Sequence, residues 1–255
     1  MPLIYIKRIA MKKRGQHFLI DVRVLKRIGD YACLDEQDRI LEVGPGTGNL
    51  TSVLSERTGH VTVIEVDPRL ASDLLGRFPN VEVIRGDALR VPLPDYNKVV
   101  SNLPYQISSK ITFRLLERPF ELAVLMYQWE FAKRMVATVG TKDYGRLALN
   151  VALRAEVKIL ERVPKGAFRP SPMVQSAIVK LTPRKELLFA DEKVFDNLTL
   201  SLFNQRRKKV KKGLAMMKAS TDAISRIDPA LLEKRPQDLT IDDVILIAQA
   251  ISSFD

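Results

Sequence analysis

One cysteine, Cys33, and two histidines, His17 and His60, are all that this chain holds of thiol and imidazole. A lone cysteine cannot close a disulfide within the chain, and a cysteine-based or histidine-rich metal cluster is excluded with it. Tryptophan also occurs once; Trp129 and Cys33 read as packing residues. Long apolar runs are missing: the longest, Leu122 to Tyr127, has six residues, against roughly 18 needed to span a bilayer. The N-terminus does not read as a secretory signal, because Lys7 and Arg8 cut its apolar stretch short. No internal repeat and no low-complexity segment is visible. What is there is 255 residues, 46% hydrophobic and 28% charged, an ordinary globular composition. At about 100–200 residues per domain, that allows one large domain or one and a half. The expectation is a soluble protein of a reducing compartment.

Charge is abundant and leans to one sign, with a formal net of +11. Residues 1–27 carry eight Lys or Arg against Asp21 alone, a net of +7. Residues 28–184 hold 21 positive and 18 negative side chains, and residues 185–255 hold 12 against 11. The last segment nevertheless hides a dense run, Arg206, Arg207, Lys208, Lys209, Lys211 and Lys212, interrupted only by Val210. Six cations in seven residues repel one another, which suggests a polyanionic partner rather than a merely solvated face. Neither basic patch has the wide apolar face of a membrane-surface helix, so nucleic acid is the better match. The run is expected on a helix.

The middle of the chain alternates strand and helix patterns. Arg39–Val43 is a short apolar strand running into Gly44-Pro45-Gly46-Thr47-Gly48, after which Leu50, Val53 and Leu54 share one helix face. Further strands are expected at His60–Asp67, Val81–Asp87, Lys98–Asn102, Leu122–Tyr127, Ala155–Val163 and Ser176–Thr182. Strands separated by helices imply a doubly wound α/β domain with a parallel sheet, and the last two strands an antiparallel edge pair. Beyond Lys185 only helical periodicity remains, as in Phe195, Leu198 and Leu202. The expected domains are therefore 1–184 and a smaller all-helical 185–255.

Three strand ends carry chemistry. The glycine turn sits where a strand opens into a helix, the context of a nucleotide-binding turn. Glu65 follows Gly44 by 21 residues at the end of the second strand, where a carboxylate can accept both hydroxyls of a ribose. Asp87 closes the third strand and could accept from an adenine amine, although such a residue alone is more often a turn former. The acidic residue before the turn, Glu42, and a G-x-G-x-G spacing favour a methyl donor over NAD. Ser101-Asn102-Leu103-Pro104-Tyr105 lies at the end of the fourth strand. An exocyclic adenine amine is a poor nucleophile because its lone pair is delocalised. The Asn102 amide oxygen and a Leu103 carbonyl aimed by Pro104 could accept both amine protons and localise that pair, with Tyr105 stacked on the base.

At these residues the chain closely resembles the ribosomal RNA adenine N6-dimethyltransferases. The resemblance rests on Gly15 to Asp21 (GQHFLID), LEVGPGTGNLT at 41–51, Glu65, GDAL at 86–89 and NLPY at 102–105. It extends to FRPSPMVQSA at 168–177 and FNQRRK at 203–208, and covers about residue 12 to the C-terminus. It implies a Rossmann-like S-adenosylmethionine-dependent methyltransferase domain, with a basic segment at 1–27, followed by a helical RNA-binding domain. The chain is most similar to the small-subunit branch, in an archaeal-like form with a short C-terminal domain. That branch dimethylates two adjacent adenosines in a terminal rRNA hairpin. The branch that modifies large-subunit rRNA shares most of these motifs.

Residue by residue, the resemblance puts Gln16, His17 and Leu19 at the methionine end of the cofactor. It gives backbone contacts to Gly44 and Gly46, the ribose to Glu65, and the adenine to Asp87 and Ala88. It sets Asn102 to Tyr105 on the target amine, Asn102 serving the cofactor neighbourhood as well, with Phe168 covering the flipped base opposite Tyr105. From its charge, the run Arg206 to Lys212 is expected to track rRNA phosphates. The resemblance further implies a cytoplasmic monomer acting on small-subunit rRNA within a pre-ribosomal particle, with no metal and no membrane. Two departures stand out: His17 occupies a position where many members have Asn, and Met11-Lys12-Lys13-Arg14 resembles an alternative beginning. Three competitors stay open. A DNA adenine methyltransferase more typically has Pro where this chain has Leu103, and a non-catalytic assembly factor would not need Asn102, Pro104 and Tyr105. An NAD-dependent dehydrogenase lacks an obvious proton donor after the fourth strand.

Overall fold

The computed structural model describes residues 16–189 and 191–252. Five of the eight cations counted at 1–27, and the Met11 start, lie outside the described residues. The chain divides into two compact units, one running through Ala132 and resuming at Lys158–Pro183, the other Lys133–Val157 with Arg184 onward.

The first unit is built on a seven-stranded sheet. Its strands are β2 (Arg39–Val43), β3 (His60–Glu65), β4 (Val81–Arg85), β5 (Lys98–Asn102), β6 (Leu122–Gln128), β7 (Ala155–Val163) and β9 (Ser176–Pro183), in the order 4-3-2-5-6-9-7. A separate two-stranded pairing joins β1 (Phe18–Leu19) to β8 (Phe168–Arg169), with Leu19 opposite Phe168. Strands β4 to β6 pair in parallel, and β9 runs antiparallel to β6. All seven expected strands are present, and the last two take the sheet edge as their missing crossover helix requires. Near-continuous apolar runs make these strands suit a sheet covered on both faces. Leu41, Val61, Val63, Val99, Val124 and Ile178 are fully buried in it.

Of the helices α1 (Val22–Tyr31), α2 (Asn49–Ser55), α3 (Pro68–Leu74) and α4 (Ser108–Leu116), α1 and α3 start at an aspartate cap. The Asp21 carboxylate accepts the Arg23 and Val24 amides at 2.9 and 3.3 Å, and Asp67 accepts Arg69 N–H at 2.9 Å just before Pro68. The order of the strands reverses between β2 and β5. Crossovers leave in opposite directions there, which opens a crevice at the carboxyl ends of the strands.

The second unit corrects the expected boundary. Pro183 does end the first unit's last strand, but residues 133–157, whose last three open β7, group with the helical unit. That segment includes the end of α5 (Trp129–Met135) and all of α6 (Arg146–Arg154), whose Leu149 and Leu153 share a core with Phe195, Leu198 and Leu202 of α7 (Glu192–Asn204). Arg154, almost buried, pairs with Glu192 and lies 3.1 Å from Asp196, fixing α6 to α7. The unit continues through α8 (Val210–Met216), α9 (Thr221–Ser225), α10 (Pro229–Glu233) and α11 (Ile241–Ser252). Because α6 passes into β7 at Ala155 with no intervening turn, nothing in the sequence marks the switch.

Candidate active site

A cavity of about 410 Å³ occupies the crevice at the β2/β5 reversal, of the size usual for small-ligand sites. Every cofactor residue expected from the sequence lines it: Gln16, His17, Leu19, Gly44, Gly46, Glu65, Asp87, Ala88 and Asn102. So do Leu103, Pro104 and Tyr105.

The glycine turn shapes one wall. Gly44 and Gly46 have φ of +71° and +58°, which favours glycine on torsion alone. A Cβ on Gly44 would approach Pro104 to 3.0 Å, and one on Gly46 would strike the Phe18 ring at 2.8 Å. The turn is thus held directly against the NLPY segment and against β1. Asn49 ties down the same corner, its side-chain N–H donating to the Leu19 carbonyl at 2.8 Å.

Glu65 is buried, and both its oxygens face backbone donors: Gly46 N–H at 3.1 Å and Asp67 N–H at 2.8 Å. Burial pushes its carboxyl upward, partly opposed by those amides. Asp87 uses one oxygen to accept Leu89 N–H at 2.9 Å, so it does form a turn, as well as lining the cavity. Glu42, only 1% exposed, also lines the cavity; the Thr51 hydroxyl donates to it at 2.6 Å. Burial first, and the nearby Glu65 charge, push the Glu42 carboxyl up to about 8 against the pull of that bond.

Asn102 ends β5 opposite Met126 of β6. The Leu103 side chain is buried, so only its backbone can face a ligand. The chain then turns through Pro104 into a single 3-10 turn, Tyr105–Ile107. Two contacts locate the Tyr105 ring. Its hydroxyl is 2.6 Å from Ser176 Oγ on β9, and its face lies near His17, with ring centroids 6.3 Å apart. His17 Nδ1 is in turn 2.9 Å from the Pro170 carbonyl oxygen.

Three expectations need correction. Phe168 does not line the cavity. It is 3% exposed and belongs to the core with Leu19, Val24, Leu25 and Ile28, because β8 pairs with β1 and turns both side chains inward. The basic run is not helical through its length: Arg206 to Lys209 form the turn after α7, and only Lys211 and Lys212 enter α8. Part of the run is also engaged within its own unit. Arg206 donates to the Lys142 carbonyl at 2.9 Å, while Lys209 and Lys211 both bind Glu233, Lys211 at 2.7 Å. Arg207, Lys208 and Lys212 are exposed. Finally, Cys33 is exposed rather than packed, at φ +47°.

The sequence reading missed Val66, Ser176 and the role of Glu42 in the wall. Val66 is an apolar residue 52% exposed in the cavity, and an exposed valine between two acids was its only signal.

The lining chemistry tests which cofactor fits. Two buried carboxylates, Glu42 and Glu65, face the cavity, and no Lys or Arg is among the described lining residues. These acids favour a cationic ligand over the anionic pyrophosphate of NAD. A nucleoside carrying a sulfonium fits: hydroxyls for Glu65, apolar surface from Val66 and Ile107, and positive charge for the acids.

Comparison with known proteins agrees. The description "Ribosomal RNA adenine dimethylase" belongs to the family that matches residues 9–249. The chain belongs to that family. Among the adenine dimethylases and their relatives, it is 49% identical over 246 residues to a Methanothermobacter thermautotrophicus protein named as a ribosomal RNA small subunit methyltransferase A, covering 93% of this chain and 89% of that one. Among solved structures it is similar to a dimethyladenosine transferase from Plasmodium falciparum, with TM-score 0.83 and 30% identity over 92% of this chain and 98% of that one. It is also similar to the 23S rRNA methyltransferase ErmE, with TM-score 0.69 and 29% identity over 92% and 99%. Membership of the adenine dimethylases makes this an S-adenosylmethionine-dependent methyltransferase fold with rRNA adenine dimethylation as its activity.

Proposed function

We propose that the protein dimethylates N6 of two adjacent adenosines in a terminal hairpin of small-subunit rRNA, contributing to small-subunit biogenesis. The observation that carries this reading is the single cavity wall formed by Gly44, Glu65, Asp87 and Asn102 to Tyr105. Similarity to small-subunit relatives favours this branch over the large-subunit one.

S-adenosylmethionine, held by Gln16, His17, Leu19, Gly44, Gly46, Glu65, Asp87 and Ala88, supplies an electrophilic methyl group when bound. The chain's own residues do the rest. The Asn102 amide oxygen and the Leu103 carbonyl accept the two N6 protons, turning the amine lone pair toward the donor. Tyr105, fixed through Ser176 and His17, stacks on the unstacked base. Catalysis on this reading is positioning and dipoles, with the displaced proton passing to solvent. The partner is small-subunit rRNA within a pre-ribosomal particle, and the protein works as a cytoplasmic monomer; no helix among the described residues is long and apolar enough to cross a membrane.

Mass spectrometry of adenosines tests this directly. Small-subunit rRNA or pre-ribosomal particles incubated with protein and donor should acquire two adjacent dimethyladenosines. Modification of large-subunit rRNA or duplex DNA instead would overturn the assignment.

A further inference from the structure

The cavity holds two buried carboxyl groups and no Lys or Arg among its described lining residues to pair with them. Glu42 and Glu65 sit on adjacent parallel strands, 1% and 3% exposed. Glu65 is satisfied by two backbone amides, whereas Glu42 receives the Thr51 hydroxyl. The groups that act on the Glu42 carboxyl are the Thr51 hydroxyl from α2 and the Glu65 carboxyl from β3. The other titratable residues lining the cavity are Asp87, His17 and Tyr105; Lys and Arg are absent from its described lining. Two carboxylates in such a place cannot both ionise cheaply.

We propose that Glu42 makes the site selective for the charge of its ligand: it holds a proton when the cavity is empty or contains a neutral thioether, and releases it to solvent when a sulfonium enters. This rests on the reading of the cavity as the S-adenosylmethionine site. Substrate and product share the adenosine and amino-acid ends and differ in the sulfur, cationic in the donor and neutral in S-adenosylhomocysteine. An ionised Glu42 attracts only the former, so the same carboxyl tightens donor binding and speeds product exchange. The raised Glu42 carboxyl sets the range in which this operates, since ionisation before binding is free only above about pH 8.

Titration calorimetry with both ligands tests it, in buffers of different ionisation heat. For the wild type near neutral pH, the donor should release most of a proton more than the product does. The ratio of donor to product affinity should rise about tenfold or more between about pH 6.5 and 8.5 and then level off. Taking the ratio cancels the titration of the shared amino-acid end. Glu42→Gln, which retains an oxygen for Thr51, should flatten the ratio and abolish the extra proton release. Should that variant fail to fold, Thr51→Val serves: losing the bond that holds the carboxyl down should move the rise to higher pH. A pH-independent wild-type ratio, or an unchanged rise in Glu42→Gln, would overturn the proposal while leaving the cofactor reading intact. If neither ligand binds at any pH, the cofactor reading itself falls, and this proposal with it.

Discussion

Asn102 and Phe168 illustrate how two residues from one set of motifs part company once they are placed. Asn102 lines the cavity at the end of β5, and on the proposed mechanism its amide oxygen accepts from the target amine as charge develops there. Asn102→Ala should therefore lower turnover by about a hundredfold or more, far more than it lowers RNA affinity. Single-turnover methylation beside filter binding checks this; normal turnover would remove Asn102 from the mechanism. Phe168 is core. Phe168→Ala should cost about 3–5 kcal/mol of stability, read from urea unfolding, because a buried ring leaves a cavity that its neighbours fill only in part. Full stability with lost methylation would restore it as the cover of the base. Glu65→Gln should weaken the donor by about 1.5–3 kcal/mol in calorimetry, the scale of a hydrogen bond to a charged group. An unchanged affinity would take the ribose contact away from Glu65.

At the scale of an element, the N-terminal end of β5 is secured by a buried polar cluster remote from the cavity. Lys98, 9% exposed, donates to Asp38 at 2.8 Å and to the Cys33 carbonyl at 2.8 Å, and Asn97 donates to the other Asp38 oxygen at 2.8 Å. Burial pushes the Asp38 carboxyl up, but Lys98, Asn97 and the Asp35 amide outweigh it and hold it below the usual range. A depressed carboxyl stabilises the fold above its unfolded value, about 3.9, and that contribution disappears as pH falls through the folded value. Lys98→Met would strand the Asp38 charge and should cost about 3–5 kcal/mol near neutral pH. The gap from wild type should narrow as acid neutralises Asp38, which denaturant titrations at several pH values would reveal. A gap constant down to the lowest pH would mean that packing of the Lys98 stem, not charge, carries the effect.

For the whole molecule, the relevant quantity is how its net charge of +11 is spent. Within the second unit, Glu233 holds Lys209 and Lys211, and they in turn keep its carboxyl down at about 2. Arg206 is committed to loop carbonyls. The exposed Arg207, Lys208 and Lys212 are therefore the ones expected to track phosphates. Replacing all three by Gln should flatten the log–log salt dependence of rRNA binding by about two units, because each phosphate contact releases counterions. Cofactor affinity should not move, since these residues belong to the unit without the nucleotide cavity. Filter retention across a salt series decides it: parallel slopes would leave RNA recognition to other cations.

The sequence by itself determined the sheet and which strand-end residues line the cavity, because both are written locally. A β-branched strand, a turn that needs positive φ at Gly44 and Gly46, and an acid or amide at each strand end all follow from short-range pattern. Their convergence in one cavity then follows from parallel strand order, which puts every carboxyl end on one side. What only the tertiary structure decided depends on partners distant in the chain. Phe168 is drawn inward by pairing with Leu19, Tyr105 is set by Ser176 and His17, and Lys209 and Lys211 are taken up by Glu233. The 133–157 segment joins the helical unit through Arg154 and the α7 carboxylates. A side chain's type sets what it can bind, but burial and ion pairing choose among the partners that folding brings near, and that choice has no local signature.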